Sequence, residues 1–436
     1  MDVQACLADR RRYERQIERL HQRYLLSSRL FELKQDDVSL ASIVINRGKV
    51  ARLLAREVSH GRYELEPGEL RTIFVGGKKR EVFSCRLTDL IVHGVVAGVA
   101  QVSTAARLSD RVFSYRRGFA WLSPVAQLAA YLRAERRSRD GARPPGVYVL
   151  RRDVASYFDS IPIGRDSSLW PALEADLGRP LPALVEGAIR AEMHLPDGGL
   201  AVRVKGLPMG QPIAGVLGNL YLTDMDRALE RVPGAFYARY GDDFLFAHRD
   251  PAVAASADAE IDAHIDRLGL ALNEKKRRTL YVTSSGRPAE EWDRAKGAPA
   301  VPFLGMRVAA DGTVGLDPSP ARVLLREIGR RTRATARTLR GADRDEMART
   351  VCSVVNRTLD PRSALTHHQS AVRLRRVVTD RHQLEQLDYR IALMVAEAVS
   401  GRSGARAFRE VPYRALRQDY GLVSLVAARN ARGRGR

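Results

Sequence analysis

The sequence predicts an α+β protein with its strands concentrated in the middle of the chain. Three observations carry that prediction. Between residues 147 and 310 short β-rich runs alternate with helical stretches. On either side, over 1–60 and from about 320 to the end, apolar residues recur at helical spacing. Finally, 45% of the 436 residues are hydrophobic, enough to bury a full core and more than one domain.

Taken in order, "ADRRRYERQIERLHQRYLLSSRLFEL" sets a charged face against an apolar one through Ile17, Leu20, Tyr24 and Leu25. "TIFVGGKKREVFSC", 72–85, holds two β-rich runs around Gly76-Gly77 and predicts a hairpin with basic residues at its tip. Helices are expected from 87 to about 139. "GARPPGVYVL", 141–150, is a breaker cluster feeding a strand. "GRPAEEWDRAKGAPA", 286–300, reads as an exposed loop, and the final "ARNARGRGR" as a frayed tail. No internal repeat is evident. The expected organisation is a helical N-terminal arm (1–70), a segment 71–145, a central mixed domain (146–310) and an Arg-rich helical module (311–436).

The formal net charge is +21. Such an excess repels itself in a compact state unless a polyanion compensates, which makes nucleic acid the first partner to consider. The three cysteines, Cys6, Cys85 and Cys352, are far apart and form no metal-ligand spacing, which points to a reducing compartment and away from zinc. The N-terminus is too polar for a signal peptide and no run reaches membrane-spanning length, so a soluble cytoplasmic protein is expected.

The chemistry-bearing stretch is "ARYGDDFLFAHR", 238–249. Its two aromatic-rich runs predict a hairpin with Gly241-Asp242 as a two-residue turn of type II′. Asp242 then sits at the tip and Asp243 opens the returning strand. "GVYVL" is a second strand, and Asp153 follows just past it. If the two strands are neighbours, three carboxylates meet. Unassisted, such a cluster protonates or separates. Two divalent ions would hold it together and serve phosphoryl transfer. The bland reading is a solvated Gly-Asp turn, with Asp153 paired to Arg151 or Arg152.

Several segments together resemble a family. "YGDD" (240–243) resembles the YxDD box of reverse transcriptases, and "DVASYFDSI" (153–161) their first catalytic-aspartate segment. "GLPMGQPIAGVLGNLYLTDMD" (206–226), "GLALNEKKRRTL" (269–280) and "FLGMRV" (303–308) are similar, in order, to the segments that accompany them. "GGKKREVFSCRLTDLIVH" and "LSDRVFSYRRGFA" resemble the fingers segments of prokaryotic members. Departures are Met209 for the commoner Gln, Ala214-Gly215 for Ser-Pro, and Gly241 for Ala or Val.

The resemblance implies a right-hand polymerase fold, with fingers over 71–145, palm over 146–310, and a helical thumb and nucleic-acid-binding module beyond. It implies Asp153, Asp242 and Asp243 as catalytic ligands of two Mg²⁺ ions, with Mn²⁺ as an alternative. Lys78 and Arg80 would bind triphosphate oxygens, and Gly210-Gln211 would lie beside the nucleotide. Phe158 would act as a steric gate against a 2′-hydroxyl, and Lys276 (with Lys275 as rival) would serve the leaving pyrophosphate. Phe303, Leu304 and Gly305 would grip the primer. A stand-alone polymerase core flanked by helices looks like the prokaryotic "unknown group", many of them defence-associated. That implies antiphage defence, a dedicated non-coding RNA template, dNTPs and nascent DNA as partners, no membrane, and an oligomeric state left open. Two other readings stay open. One is an RNA-synthesising or template-independent polymerase, to which Asp159 in the first segment adds weight; the other is a non-catalytic RNA-binding scaffold.

Overall fold

The computed structural model describes residues 2–25, 34–35, 38–75, 78–137, 146–179, 181–195, 197–289, 291–360 and 369–433. The chain divides into two units, each assembled from three stretches. The first comprises Met1–Trp121, Leu150–Ala247 and Ala252–Arg278; the second comprises Leu122–Val149, His248–Pro251 and Thr279–Arg436.

The first unit opens with helices Val3–Ala8 and Arg10–Tyr24, each started by an aspartate, Asp2 and Asp9, whose side chain accepts a free backbone N–H. Tyr13, Ile17 and Leu20 of the second helix are buried, whereas Leu25 is exposed, so the predicted apolar stripe stops one turn early. A two-residue ladder, β1 (Lys34–Gln35) with β2 (Val38–Ser39), precedes helices Leu40–Ile45 and Arg47–Ser59.

The predicted hairpin forms as β3 (Gly68–Val75) and β4 (Lys78–Ser84), with Val75 opposite Lys78. Its Gly76-Gly77 tip lies outside the described residues. β6 (Glu192–His194) and β7 (Leu200–Val202) extend it into a sheet of order β4-β3-β6-β7, with β6 parallel to β3.

Helix Leu87–Ser103 follows, but the helical expectation through 139 fails between about 108 and 121. There the chain pairs instead with β8 (Phe236–Tyr240): Phe113 N–H donates to the Arg239 carbonyl at 2.9 Å, and Arg239 N–H to the Arg111 carbonyl at 2.9 Å. Tertiary pairing overrides local propensity in this segment. β9 (Asp243–His248) runs antiparallel to β8, and β5 (Val147–Asp153) lies on its other side. Helix Pro212–Tyr221 has Pro212 at its first turn, as the sequence suggested. Its residues 213–221 are all buried, the mark of a core helix, and it packs on helix Leu87–Ser103.

The second unit contains β10 (Arg278–Val282) from Thr279 onward, with β11 (Lys296–Ala298) parallel to it. A meander of β12 (Ala300–Phe303), β13 (Met306–Ala309) and β14 (Val314–Leu316) follows. The expected loop at 286–300 is therefore corrected. Its second half is strand, Ala295 is buried, and Trp292 packs against Tyr148 with ring centroids 5.9 Å apart. Helices Pro318–Thr338, Arg344–Leu359, Gln369–Arg376 and Arg381–Ser400 complete the unit with shorter ones. Gln383 pins the 381–400 helix to β14 through both the N–H and the carbonyl of Leu316, at 2.6 and 2.8 Å. The predicted frayed tail is helical from Leu425 to Gly433. The buried Asp388 accepts the Leu425 and Val426 N–H groups, satisfying that helix's open start.

Candidate active site

Strand β5 buries Val149 and Leu150 and delivers Asp153 at its end. The β8–β9 hairpin closes with Tyr240 opposite Asp243, and Gly241 takes a φ of +69° that a side chain would resist. Two backbone bonds lock these pieces together. The Val154 N–H donates to the Asp242 carbonyl at 3.2 Å, and the Asn273 N–H to the Asp153 carbonyl at 2.7 Å. Asp153, Asp242 and Asp243, remote in sequence, therefore stand at one end of adjacent strands.

The pairing of the aspartates departs from the bland reading. Asp153 is held by neither Arg151 nor Arg152 but by the Lys276 ammonium, at 2.8 and 2.7 Å to its two oxygens. Arg151 makes a two-pronged contact with Asp243, at 3.1 and 2.8 Å. Arg152, fully buried, turns to Asp258 at 2.6 Å. Asp242 has its carboxyl pushed above its ordinary value, first by burial and then by the neighbouring Asp153 charge, which Lys276 offsets only in part.

Among the described residues no three His, Cys, Asp or Glu side chains converge as a ready metal cage. Two of the three aspartates, Asp153 and Asp243, have both oxygens engaged, by Lys276 and Arg151 respectively. The donor set still fits a hard cation. It offers acceptor-only oxygens, and the mutual repulsion that raises Asp242 is what a positive ion relieves. The Lys276 side chain is half exposed.

A buried network behind the turn was not found from the sequence. Arg239 and Asp226 form a fully buried ion pair at 2.6 Å. Burial opposes the Arg239 charge, but Asp226 outweighs it and holds the guanidinium above its ordinary pKa. Arg239 also donates to the Gly241 carbonyl at 3.0 Å and to the Asn219 carbonyl at 3.0 Å. The Gly241 N–H donates to Ser114 Oγ at 2.8 Å, and Ser114 Oγ to Asn219 Oδ1 at 3.1 Å. The glycine of the turn is thus held on both its N–H and its carbonyl. The available signal was a charged residue inside the apolar run "FYARY".

Phe158 lies half-buried between Tyr157 and Tyr115, edge-on to Tyr115 with centroids 5.9 Å apart. It covers Gly218, where a Cβ would come within 2.9 Å of its ring. Tyr115 and Ser156 both adopt left-handed φ, at 53° and 45°, a strain that concentrates around this aromatic pair. Gly210 has a φ of +100°, and a Cβ there would sit 2.9 Å from the Phe83 carbonyl; the close approach it permits is to β4. Gln211 is buried, and its amide nitrogen donates to Cys85 Sγ at 3.1 Å. Lys78 and Arg80 lie on β4 opposite Val75 and Ile73, and their side chains fall outside what is described. Lys275 is exposed. Phe303, Leu304 and Gly305 belong to the second unit, where Leu304 and Gly305 make the β12–β13 turn at φ of 50° and 73° and Phe303 is buried.

Residues 101–308 match the family model described as reverse transcriptase (RNA-dependent DNA polymerase). Over just under half of the chain, the matched segment is similar to a reverse transcriptase domain. Such a domain is a nucleotidyltransferase of the RNA-directed DNA polymerase class, and its mixed α/β fold is of the right-hand polymerase type. The match covers the three aspartates, Phe158, Gly210, Gln211, Lys276 and Phe303–Gly305, and excludes Lys78 and Arg80. No curated protein matches the sequence. Among solved structures the chain is similar to a telomerase of Candida tropicalis truncated of its C-terminal domain, at 14% identity and a TM-score of 0.42, covering 60% of this chain and 58% of that one. Telomerase of Candida albicans with a TWJ fragment of telomeric RNA gives 13%, 0.45, 86% and 67%. Apo telomerase of Candida tropicalis gives 12%, 0.43, 85% and 63%. The chain thus spans less than two thirds of the first of these structures. Among the described residues no helix is long and apolar enough to cross a membrane.

Proposed function

We propose that the protein is an RNA-directed DNA polymerase that joins dNTPs to a primer on an RNA template. One observation carries the reading: Asp153 and the Asp242-Asp243 pair meet at one sheet end inside the segment that matches the reverse transcriptase model. The three carboxylates would hold two Mg²⁺ or Mn²⁺ ions, which when bound supply activation of the primer hydroxyl and neutralise charge on the leaving group. Arg151 and Lys276 are the counter-charges these carboxylates carry otherwise. Once released from Asp153, the Lys276 ammonium becomes a donor for pyrophosphate. Phe158, propped by Gly218 and Tyr115, sets a wall against a 2′-hydroxyl. The Gln211 side chain positions the Gly210 loop on β4. Lys78 and Arg80 serve the triphosphate, and the Phe303–Gly305 turn the primer end. The fingers, palm and thumb take the boundaries 71–145, 146–310 and 311–436.

The finer part of the reading, a dedicated non-coding RNA template and a role in antiphage defence in the cytoplasm, rests on the likeness of the motifs to stand-alone prokaryotic enzymes. The exposed Asp159 beside Phe158 favours a second reading, synthesis of RNA. One experiment addresses both. The purified chain is given Mg²⁺, a primed RNA and labelled dNTPs or NTPs, and any co-purified RNA is sequenced. Extension with dNTPs, lost by about a hundredfold or more in Asp242→Asn, is the expected result. Extension with NTPs alone transfers the assignment to RNA synthesis, and no extension with either overturns both.

A further inference from the structure

Helix Arg10–Tyr24 carries Arg12, Arg15, Arg19 and Arg23 at intervals of three, four and four residues, which places them along one face. The acidic residues of that helix lie elsewhere and are already engaged, Glu14 with Arg10 at 2.8 Å and Glu18 with Arg47 at 2.6 Å. Arg19 and Arg23 border a cleft of about 290 Å³ against helix Leu87–Ser103. Arg12 and Arg15, with Arg19, border a smaller hollow of about 30 Å³ that shares Gln16, Gly94 and Gly98 with it. Arg117, from another part of the chain, lines both. Gly94 and Gly98 keep the floor of this cleft low; a Cβ at Gly94 would fall 2.1 Å from the Gln16 amide. No carboxylate lines it among the described residues. Asp9, at one end, stands 3.7 Å from Arg12 and 3.9 Å from Arg15. Arg19 has its pKa lowered, by burial first and then by the charges of Arg117 and Arg15. Arg12 Nε is buried with no hydrogen-bond partner. Like charges are therefore held together around a hollow with too little negative charge to balance them.

We propose that this cleft binds the phosphodiester backbone of a single-stranded nucleic acid. Guanidinium groups match phosphate oxygens in geometry and charge. The row spans about 16 Å along the helix axis, the reach of several nucleotides of one strand. Tyr115, exposed where the cleft approaches Gly210 and Pro212, offers a ring on which a base can stack. None of the three aspartates lines the cleft, although Gly210 and Tyr115, which the proposed function sets beside the nucleotide, border one end of it; binding there can be measured without polymerisation.

The test is the salt dependence of binding of two fluorescent oligonucleotides, single-stranded RNA and DNA of the same sequence, to the full chain. The variant Arg15→Gln/Arg19→Gln/Arg23→Gln is compared with Arg10→Gln/Arg11→Gln/Arg47→Gln, which removes equal charge from outside the cleft. Loss of three phosphate contacts flattens the slope of log Kd against log salt by about 2, with affinity falling about tenfold or more at low salt. The control triple keeps the slope of the parent. Loss on both oligonucleotides supports shared phosphate recognition; loss on RNA alone or on DNA alone supports it and names the strand. Gly98→Glu, whose Cβ meets only Arg117 Nη2 at 3.8 Å, keeps every arginine and plants a carboxylate in the hollow. It is expected to weaken binding in the same way should the triple fail to fold. Equal changes in the two triples, or a Gly98→Glu protein that binds like the parent, overturn the proposal. Because the readout is binding, it is repeated on Asp242→Asn/Asp243→Asn, which separates its failure from failure of the polymerase reading.

Discussion

At Gly215 the ring of Tyr115 stands where a side chain would begin, 2.5 Å from a built Cβ and with its own Cβ 3.0 Å away. Because the obstacle includes the root of the tyrosine, it cannot simply swing aside. Gly215→Ala should therefore cost about 1–3 kcal/mol in urea unfolding, and the same change in a Tyr115→Ala background should cost clearly less. The departure from Ser-Pro at 214–215 has its physical account in this contact. A second residue, His93, is 2% exposed, and burial holds its pKa down to about 4 against a weaker opposing pull from Asp89. The unfolded chain takes up this proton near 6.5 and the folded one only near 4. Stability attributable to His93 is full above 6.5 and falls as pH drops towards 4, by roughly 3 kcal/mol. Thermal melts across that window should show the decline, and His93→Leu should flatten it. At this scale the aspartates were legible because charges interrupt apolar runs. Lys276 as the partner of Asp153 was not, since that pair exists only once the chain has folded.

Elements were readable where local chemistry decides them. The β8–β9 hairpin follows from its glycine turn and the 212–221 helix from its proline start and apolar stripe. The 108–121 segment was unreadable, because its backbone partner is β8, far along the chain. The same limit hid the support of the hairpin. Asp226→Asn leaves Arg239 charged and fully buried, which should cost about 3–5 kcal/mol in denaturant unfolding. It should also lower any polymerase activity, through the Gly241 carbonyl that Arg239 holds. Replacing both partners, Asp226→Leu/Arg239→Met, should cost less stability than the single change. A double that is no better than the single would show that the pair stabilises by itself.

For the whole molecule, composition gave the charge but not its placement. An excess of +21 implies self-repulsion at low ionic strength. Protein stripped of nucleic acid should melt at a higher temperature as salt rises from a few millimolar towards physiological levels, where screening shortens the range of repulsion to about 8 Å. Protein saturated with single-stranded RNA should lose that dependence or reverse it. A melting temperature indifferent to salt in the stripped protein would mean that the surface pairs already balance the field. The division into two units, each built from three interleaved stretches, lay beyond local patterning because it is a property of contacts between distant segments.

Three consecutive residues of β5 point to three separate destinations: Arg151 to Asp243, Arg152 to Asp258 and Asp153 to Lys276. A slip of one position would carry a guanidinium to where the carboxylate belongs and leave a buried charge stranded on the opposite side. Misthreading this strand and taking Asp153 out of the proposed metal site are therefore the same event, so on that proposal a population that passes a test for correct assembly has already been screened for competence.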